Sequence, residues 1–489
     1  MLYPQTSRWL MLAAAAATTT FTLTACGGDD DPAPAEETRA QDSRVFTIKA
    51  ADATATTFAA VTGGDADTAA SLRWAGVLGG SSYQIEVPKT WNGKLVMYAH
   101  GYAGTGSEVA VQPLGDGLRR HLLGLGYAWA ASSYSKNFYD VRAGVEDTNA
   151  LALEFPKIAA AKGLANPTPT KTFIIGHSMG GHIAAAAVED ETAATANHKV
   201  KYHGAVPMCG VVGDTELFDY LGAAQIAAHG LAGAASTPTT GWEGVKGAVA
   251  AKLFTQAATT PTGQYVFTAD GQKWVSVMQN LTGGARPMFD LGVVGYYTTV
   301  VWGTFGGDGT VNGIYNRFGA DTNRFTYRID NDPAGSAALN AGAQKLTAAA
   351  EYNRKRSDGL RWVPKVNGEF KVPVVTIHTL GDMYVPFSME QIYRTRAEAK
   401  GNGGWLVQRA IRGIGHCDFS AAEQTEAFDA MVAWEAGGPR PAGDDVLTPT
   451  TVANPTYGCT FTRDAATANG DSAGLVTLRN TLKVAKPCV

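Results

Sequence analysis

From residue 81 the chain carries two kinds of apolar pattern in alternation. Tyr83, Ile85 and Val87 recur at every second position, which predicts a strand over 83–88. After the turn residues Trp91, Asn92 and Gly93, an unbroken apolar run over 95–99 predicts a strand buried on both faces. A helical segment over 114–125 and a strand over 127–133 follow, and Leu151, Leu153, Phe155 and Ile158 mark an amphipathic helix over 145–162. A short strand at 173–175, an alanine-rich helix over 181–189 and a strand over 202–209 continue the series. Strands that alternate with helices need crossovers covering both faces of a sheet, so an α/β protein with a mostly parallel central sheet is expected.

The alternation stops after Asp214. Over the next 150 or so residues aromatics are scattered among Gly, Thr and Ala, including Trp242, Tyr265, Trp274, Tyr296, Tyr297, Trp302, Phe305 and Tyr315. A structureless loop of that length is implausible inside a folded domain, so 215–365 is expected to be an inserted subdomain, its rings mostly forming a core of its own. The pattern resumes with a strand over 372–378, a helix over 388–399, a strand over 405–411 and a helix over 421–435. Beyond Gly437 the chain reads as loop to its end. The core is thus expected in two parts, 45–214 and 366–443, with a tail over 444–489 and no internal repeat.

The first residues change the picture of where the protein works. One arginine, Arg8, precedes an apolar, small-residue run over 9–23 that ends in Leu23-Thr24-Ala25-Cys26. This resembles a bacterial lipoprotein signal, with 1–25 removed and lipid attached at Cys26. An ordinary signal peptide competes with it, whereas a membrane-spanning helix is disfavoured by the short, threonine-rich run. Residues 26–44, with their Asp, Pro and Glu, cannot bury apolar surface and read as a flexible tether to a membrane. Gly27 rather than aspartate after Cys26 points to the outer membrane of a diderm cell. With a formal net charge of -4 and no lysine or arginine cluster, a nucleic-acid partner is not expected.

Of five cysteines, setting Cys26 aside leaves Cys209, Cys417, Cys459 and Cys488, an even number suited to an oxidising compartment. Three connectivities are possible. The preferred one joins Cys459 to Cys488 within the tail, and Cys209 to Cys417 because both are placed at one edge of the sheet; free thiols remain the alternative. No Cys-x-x-Cys or His-x-x-x-His spacing suggests a metal, and no cofactor is expected.

The segment from Lys171 to His182 reads strand, turn Gly176-His177-Ser178-Met179-Gly180, then helix. This is the G-x-S-x-G elbow, whose glycines, Gly176 and Gly180, let strand and helix approach while the serine is pushed above the sheet. A serine hydroxyl is a weak nucleophile at neutral pH and needs a base, which in turn needs a carboxylate to orient it. Among nine histidines, His416 follows the last strand in Gly413-Ile414-Gly415-His416, at the edge where Ser178 is expected. His177 and His182 flank the serine but read as packing residues. For the acid, Asp382 lies just past the strand ending at His378, and Asp214 is the alternative.

The order Ser178, Asp382, His416, with Gly381-Asp382 ahead of Val385-Pro386 and a Gly-His before the final helix, resembles the α/β-hydrolase superfamily over about 81–214 and 372–435. The resemblance implies an α/β-hydrolase fold whose insertion is a cap or lid, and a serine esterase or lipase-like activity. It also implies an oxyanion hole from the amides of Met179 and, through the His100-Gly101-Tyr102 motif, of Tyr102, with His100 fixing the loop. Cys417 beside the base resembles one half of the arrangement in tannase and feruloyl esterase relatives; the other half is missing, since His177 precedes the serine. The substrates expected are carboxylic esters, among them apolar, aromatic or polymeric ones met outside the cell. A peptidase or amidase of the same fold, or an idle surface lipoprotein that only binds, are the competing readings.

Overall fold

Eight of the apolar runs meet in one sheet. The computed structural model describes residues 36, 38–234, 242–256, 265–295, 319–482 and 488. Cys26 and the run before it lie outside the described residues, as do Tyr296, Tyr297, Trp302, Phe305 and Tyr315. The strands in chain order are β1 (Thr47–Ile48), β2 (Leu72–Leu78), β3 (Ser81–Val87), β4 (Lys94–Ala99), β5 (Glu108–Val109) and β6 (Ala128–Ser132). They continue with β7 (Lys171–His177), β8 (Ala205–Met208), β9 (Phe254–Gln256), β10 (Tyr265–Phe267), β11 (Val374–Thr379) and β12 (Leu406–Ile411).

The large sheet runs β12-β11-β8-β7-β4-β6-β3-β2. All neighbours from β12 to β6 are parallel; β3 is antiparallel to β6 and β2 to β3. That order, with its single reversal next to an antiparallel edge, is the α/β-hydrolase fold. Alternate side chains of one strand face opposite ways. Leu95, Met97 and Ala99 of β4 enter one core with the helices Val141–Ala161 and Met179–Ala187. Val96 and Tyr98 enter the other with Asp116–Gly124 and Ala421–Glu435. The last of these helices starts at a capping box, Ser420 with Glu423, which fixes its first turn beside the loop of His416.

Between β8 and β11 stand the helices Glu216–Ala232 and Ala269–Leu281 and the β9–β10 hairpin. Trp274 is fully buried there, its indole N–H donating to the Ala224 carbonyl at 3.3 Å. Tyr220, Phe254 and Trp274 of this stretch join the core on the face of Val141–Ala161 rather than forming the separate core expected, while Phe218 packs with Ala320 and Val363.

Three further sequence expectations need correction. The strand series begins one strand earlier, at β2, whose mixed sequence Leu-Arg-Trp-Ala-Gly-Val-Leu reflects an edge position. The helix expected from 145 begins at Val141, because Asp140 accepts from the Ala143 N–H as its N-cap. The tail is not loop throughout: Ala473–Leu482 is a helix, docked by a buried ion pair of Arg479 with Glu423 at 2.6 Å. Ahead of the sheet, an N-terminal arm is fixed at Arg39, which pairs with buried Asp140 at 2.7 Å. Its β1 lies parallel to β5, with Thr47 N–H on the Ser107 carbonyl at 2.8 Å and Lys49 N–H on that of Val109 at 2.9 Å.

Candidate active site

Ser178 stands between β7 and the helix Met179–Ala187 with φ 59 and ψ -120, a conformation that side-chain-bearing residues rarely adopt. The glycines explain how the chain holds it. A Cβ at Gly176 would lie 2.2 Å from the Gly180 carbonyl oxygen, and one at Gly180 would lie 2.0 Å from that of Ala99. The turn therefore closes only with glycine at both positions.

The expected partners converge on this hydroxyl. His416 Nε2 is 2.7 Å from Ser178 Oγ, and His416 Nδ1 is 2.6 Å from Asp382 Oδ2. Asp382 is wholly buried, and its other oxygen, Oδ1, accepts from the N–H groups of Tyr384 at 2.9 Å and Val385 at 3.0 Å. With the carboxylate held on both oxygens, the imidazole keeps its proton on Nδ1 and turns a lone pair on Nε2 to the hydroxyl. The loop that presents His416 is pinned from several sides. Thr379 Oγ1 donates to the Gly415 carbonyl at 2.7 Å, the Gly415 N–H donates to Asp418 Oδ2 at 2.7 Å, and Arg479 holds the Asp418 carbonyl.

The other candidates are engaged elsewhere. Asp214, also buried, accepts from Lys365 at 2.9 Å and from Arg396 at 2.6 Å. Burial pushes its carboxyl up, but those two charges more than reverse the effect and hold it below the ordinary carboxylate range. His177 Nε2 meets Gln424 Oε1 at 3.0 Å, and His182 lies between the Tyr139 hydroxyl at 2.9 Å and the Pro364 carbonyl at 2.8 Å. Burial takes both rings down to about 4, so both are neutral packing groups at neutral pH.

The loop after β4 approaches the serine closely: a Cβ at Gly101 would sit 3.3 Å from Ser178 Cβ. His100 holds this loop. Its Nδ1 is 2.7 Å from the Gly101 carbonyl, its ring stacks on Tyr134 at 4.0 Å, and the Tyr134 hydroxyl donates to the His100 carbonyl at 3.0 Å. A peptide's C=O and N–H point opposite ways, so turning the Gly101 carbonyl to His100 turns the Tyr102 N–H away from it. Tyr102 itself is half-exposed, and Met179 opens the helix after the serine.

The four cysteines pair as Cys209–Cys417, with Cα atoms 5.3 Å apart, and Cys459–Cys488, at 5.1 Å. Two disulfides suggest an oxidising environment. No helix among the described residues is long and apolar enough to cross a membrane.

Sequence reasoning missed a polar layer beside Asp382: His378, Glu390 and Arg286, all buried. Arg286 comes from the inserted stretch and donates through Nε to the Leu380 carbonyl at 2.7 Å. A signal was present in β11, where Thr376 and His378 put two polar residues on one face of a strand whose every residue is buried.

No protein-family model matches the chain. It is similar to o-phthalyl amidase of Xanthobacter agilis, 33% identical over 67 residues that make up 14% of this chain and 15% of that protein. Among solved structures it is similar to feruloyl esterase B from Aspergillus oryzae, with a TM-score of 0.41 and 16% identity over 78% of this chain and 83% of the other. It is also similar to Candida antarctica lipase A in its closed state, with a TM-score of 0.36 and 15% identity over 87% and 89%.

Proposed function

We propose that the protein is a serine hydrolase that cleaves carboxylic esters through Ser178, His416 and Asp382. The observation that carries this reading is the unbroken hydrogen-bond chain from hydroxyl to imidazole to buried carboxylate, at 2.7 and 2.6 Å. In this reading Ser178 Oγ attacks the ester carbonyl while His416 Nε2 takes its proton. The tetrahedral oxyanion is received by the N–H groups of Met179 and Tyr102, and the Met179 amide is aided by its place at a helix N-terminus. His416 then protonates the leaving alcohol, and water attacks the acyl-enzyme by the same route in reverse. The inserted stretch over 215–365 serves as a cap over the acyl or alcohol group. The protein is exported and anchored by lipid on Cys26 through the tether expected over 26–44, of which the part from Arg39 on is docked on the fold; the two disulfides support export.

A second reading, amide cleavage by the same groups, is favoured by the stretch 33% identical to an amidase. Hydrolysis of p-nitrophenyl acyl esters, matched against arylamides of the same acids, tests both. Ester turnover lost in Ser178→Ala is expected. Turnover that survives the substitution overturns the proposal, and preference for the amides moves the assignment to the second reading.

A further inference from the structure

His378 is wholly buried, and its ring nitrogens have different surroundings. Nε2 lies 2.8 Å from the Val385 carbonyl oxygen, which can only accept, so Nε2 carries a proton. Nδ1 lies 3.4 Å from Glu390 Oε1, and neither of these two atoms has a hydrogen-bond partner elsewhere. Without a proton between them, an imidazole lone pair would face a carboxylate lone pair in a site closed to water. Such an arrangement is costly, and one added proton removes the cost. The proton belongs on the ring. Glu390 Oε2 accepts from Thr376 Oγ1 at 2.6 Å and from the Gln408 amide, which stabilises a carboxylate, and Asp382 Oδ2 at 3.9 Å from Nε2 favours a cation.

We propose that His378 is an imidazolium paired with the Glu390 carboxylate and that this pair is a positioning unit for Asp382. It acts through one residue, since the Val385 carbonyl accepts from His378 and the Val385 N–H donates to Asp382 Oδ1 at 3.0 Å. The proton does not depend on the proposed ester chemistry; its effect on turnover does.

Titratable and charged groups from several elements surround the pair. On the helix of Glu390, Tyr393 is kept protonated by burial, and Arg394 is engaged with Gln408 Oε1 at 2.9 Å. Tyr457 from the tail and Tyr220 from the inserted stretch also keep their protons through burial. Arg286 faces Asp382 as a buried cation, and His416 lies on that carboxylate's other contact. For His378, burial pulls the ring down, but the hydrogen bond and charge of Glu390, with the charge of Asp382, outweigh it and raise its proton affinity above that of an ordinary histidine. The imidazolium therefore persists below the raised value. It is lost as pH climbs through that value, leaving an uncompensated carboxylate next to Asp382.

The full chain labelled with 15N-histidine tests this by NMR, with His378→Gln identifying the signals. At pH 7 both ring nitrogens of His378 should carry protons in the wild type. In Glu390→Gln, whose amide can donate to Nδ1, the Nδ1 proton should vanish. On a p-nitrophenyl ester, Glu390→Gln should lower kcat by about tenfold at unchanged KM and lack the alkaline fall of the wild type. A wild-type ring protonated only on Nε2 at pH 7, or superimposable kcat–pH profiles, would overturn the proposal. If the wild type hydrolyses no ester, the functional reading fails while the NMR result still decides the pair.

Discussion

Cys417, the residue after His416, is bonded to Cys209 across 208 residues of sequence. Cys209 directly follows β8, whose Met208 pairs with His177, the residue before Ser178. One covalent link thus ties the loop of His416 to the end of β8, the strand beside the one that leads into Ser178.

Opening that link should therefore affect rate more than binding. Cys209→Ala with Cys417→Ala is expected to lower kcat by roughly 10- to 100-fold with little change in KM, because misplacement by about 1 Å is enough. The same variant should lose on the order of 2–4 kcal/mol of stability. Steady-state kinetics and urea denaturation measure the two; an unchanged kcat would mean the loop over 413–418 holds its shape without the bond.

The two buried aspartates should separate cleanly. Asp382→Asn is expected to lower kcat by roughly 10³- to 10⁴-fold, less than Ser178→Ala, since nucleophile and base remain. Asp214→Asn should leave kcat within about threefold but cost roughly 3–5 kcal/mol by stranding Lys365 and Arg396. Because the Asp214 carboxyl is held below its unfolded value, its contribution is complete above ordinary carboxylate pH and fades as pH falls through the lower folded value. Equal kinetics in the two variants would move the acid's role away from Asp382.

Mild acid should destabilise the fold through His177 and His182. Both rings are held at about 4 by burial, whereas an unfolded histidine takes up its proton near 6.5. The unfolded chain then binds more protons between these values, so stability falls as pH drops below about 6.5, by roughly 3 kcal/mol per ring at pH 4. His182→Gln should flatten the slope of unfolding free energy against pH between 4 and 7. A slope identical to wild type would show that the ring titrates in the folded state.

The glycines around the serine should not be equivalent. Gly180→Ala places a Cβ 2.0 Å from the Ala99 carbonyl and should abolish soluble, folded protein. Gly101→Ala meets Ser178 Cβ only at 3.3 Å, so it should fold within about 1 kcal/mol of wild type while lowering kcat by tenfold or more. Circular dichroism and ester kinetics on the pair distinguish folding from crowding at the nucleophile.

What the sequence revealed follows from how local each signal is. The helices Ser388–Ala399 and Ala421–Glu435 were legible to the residue, and the structure adds that the second opens on a capping box of Ser420 with Glu423. The elbow was legible because its glycines have a steric job within five residues. β2 was not, since an edge strand need be apolar on one side only. The tail helix was not, because it is fixed by a distant partner, Glu423, rather than by an apolar stripe. His378, Glu390 and Arg286 were invisible for the same reason: a buried polar residue has no period, and its partners lie in other elements.

The pairing of β1 with β5 sets a limit on how far the chain can be trimmed from its N-terminal side. β5 belongs to the same loop as Tyr102, and the arm is already anchored at Arg39, well before the start of the large sheet at Leu72. A recombinant version begun at residue 38 should lose the proposed lipid anchor yet keep the parent's stability and ester turnover. One begun near residue 60, although it spares every strand of the large sheet, would strip a paired strand from the loop that carries Gly101 and Tyr102.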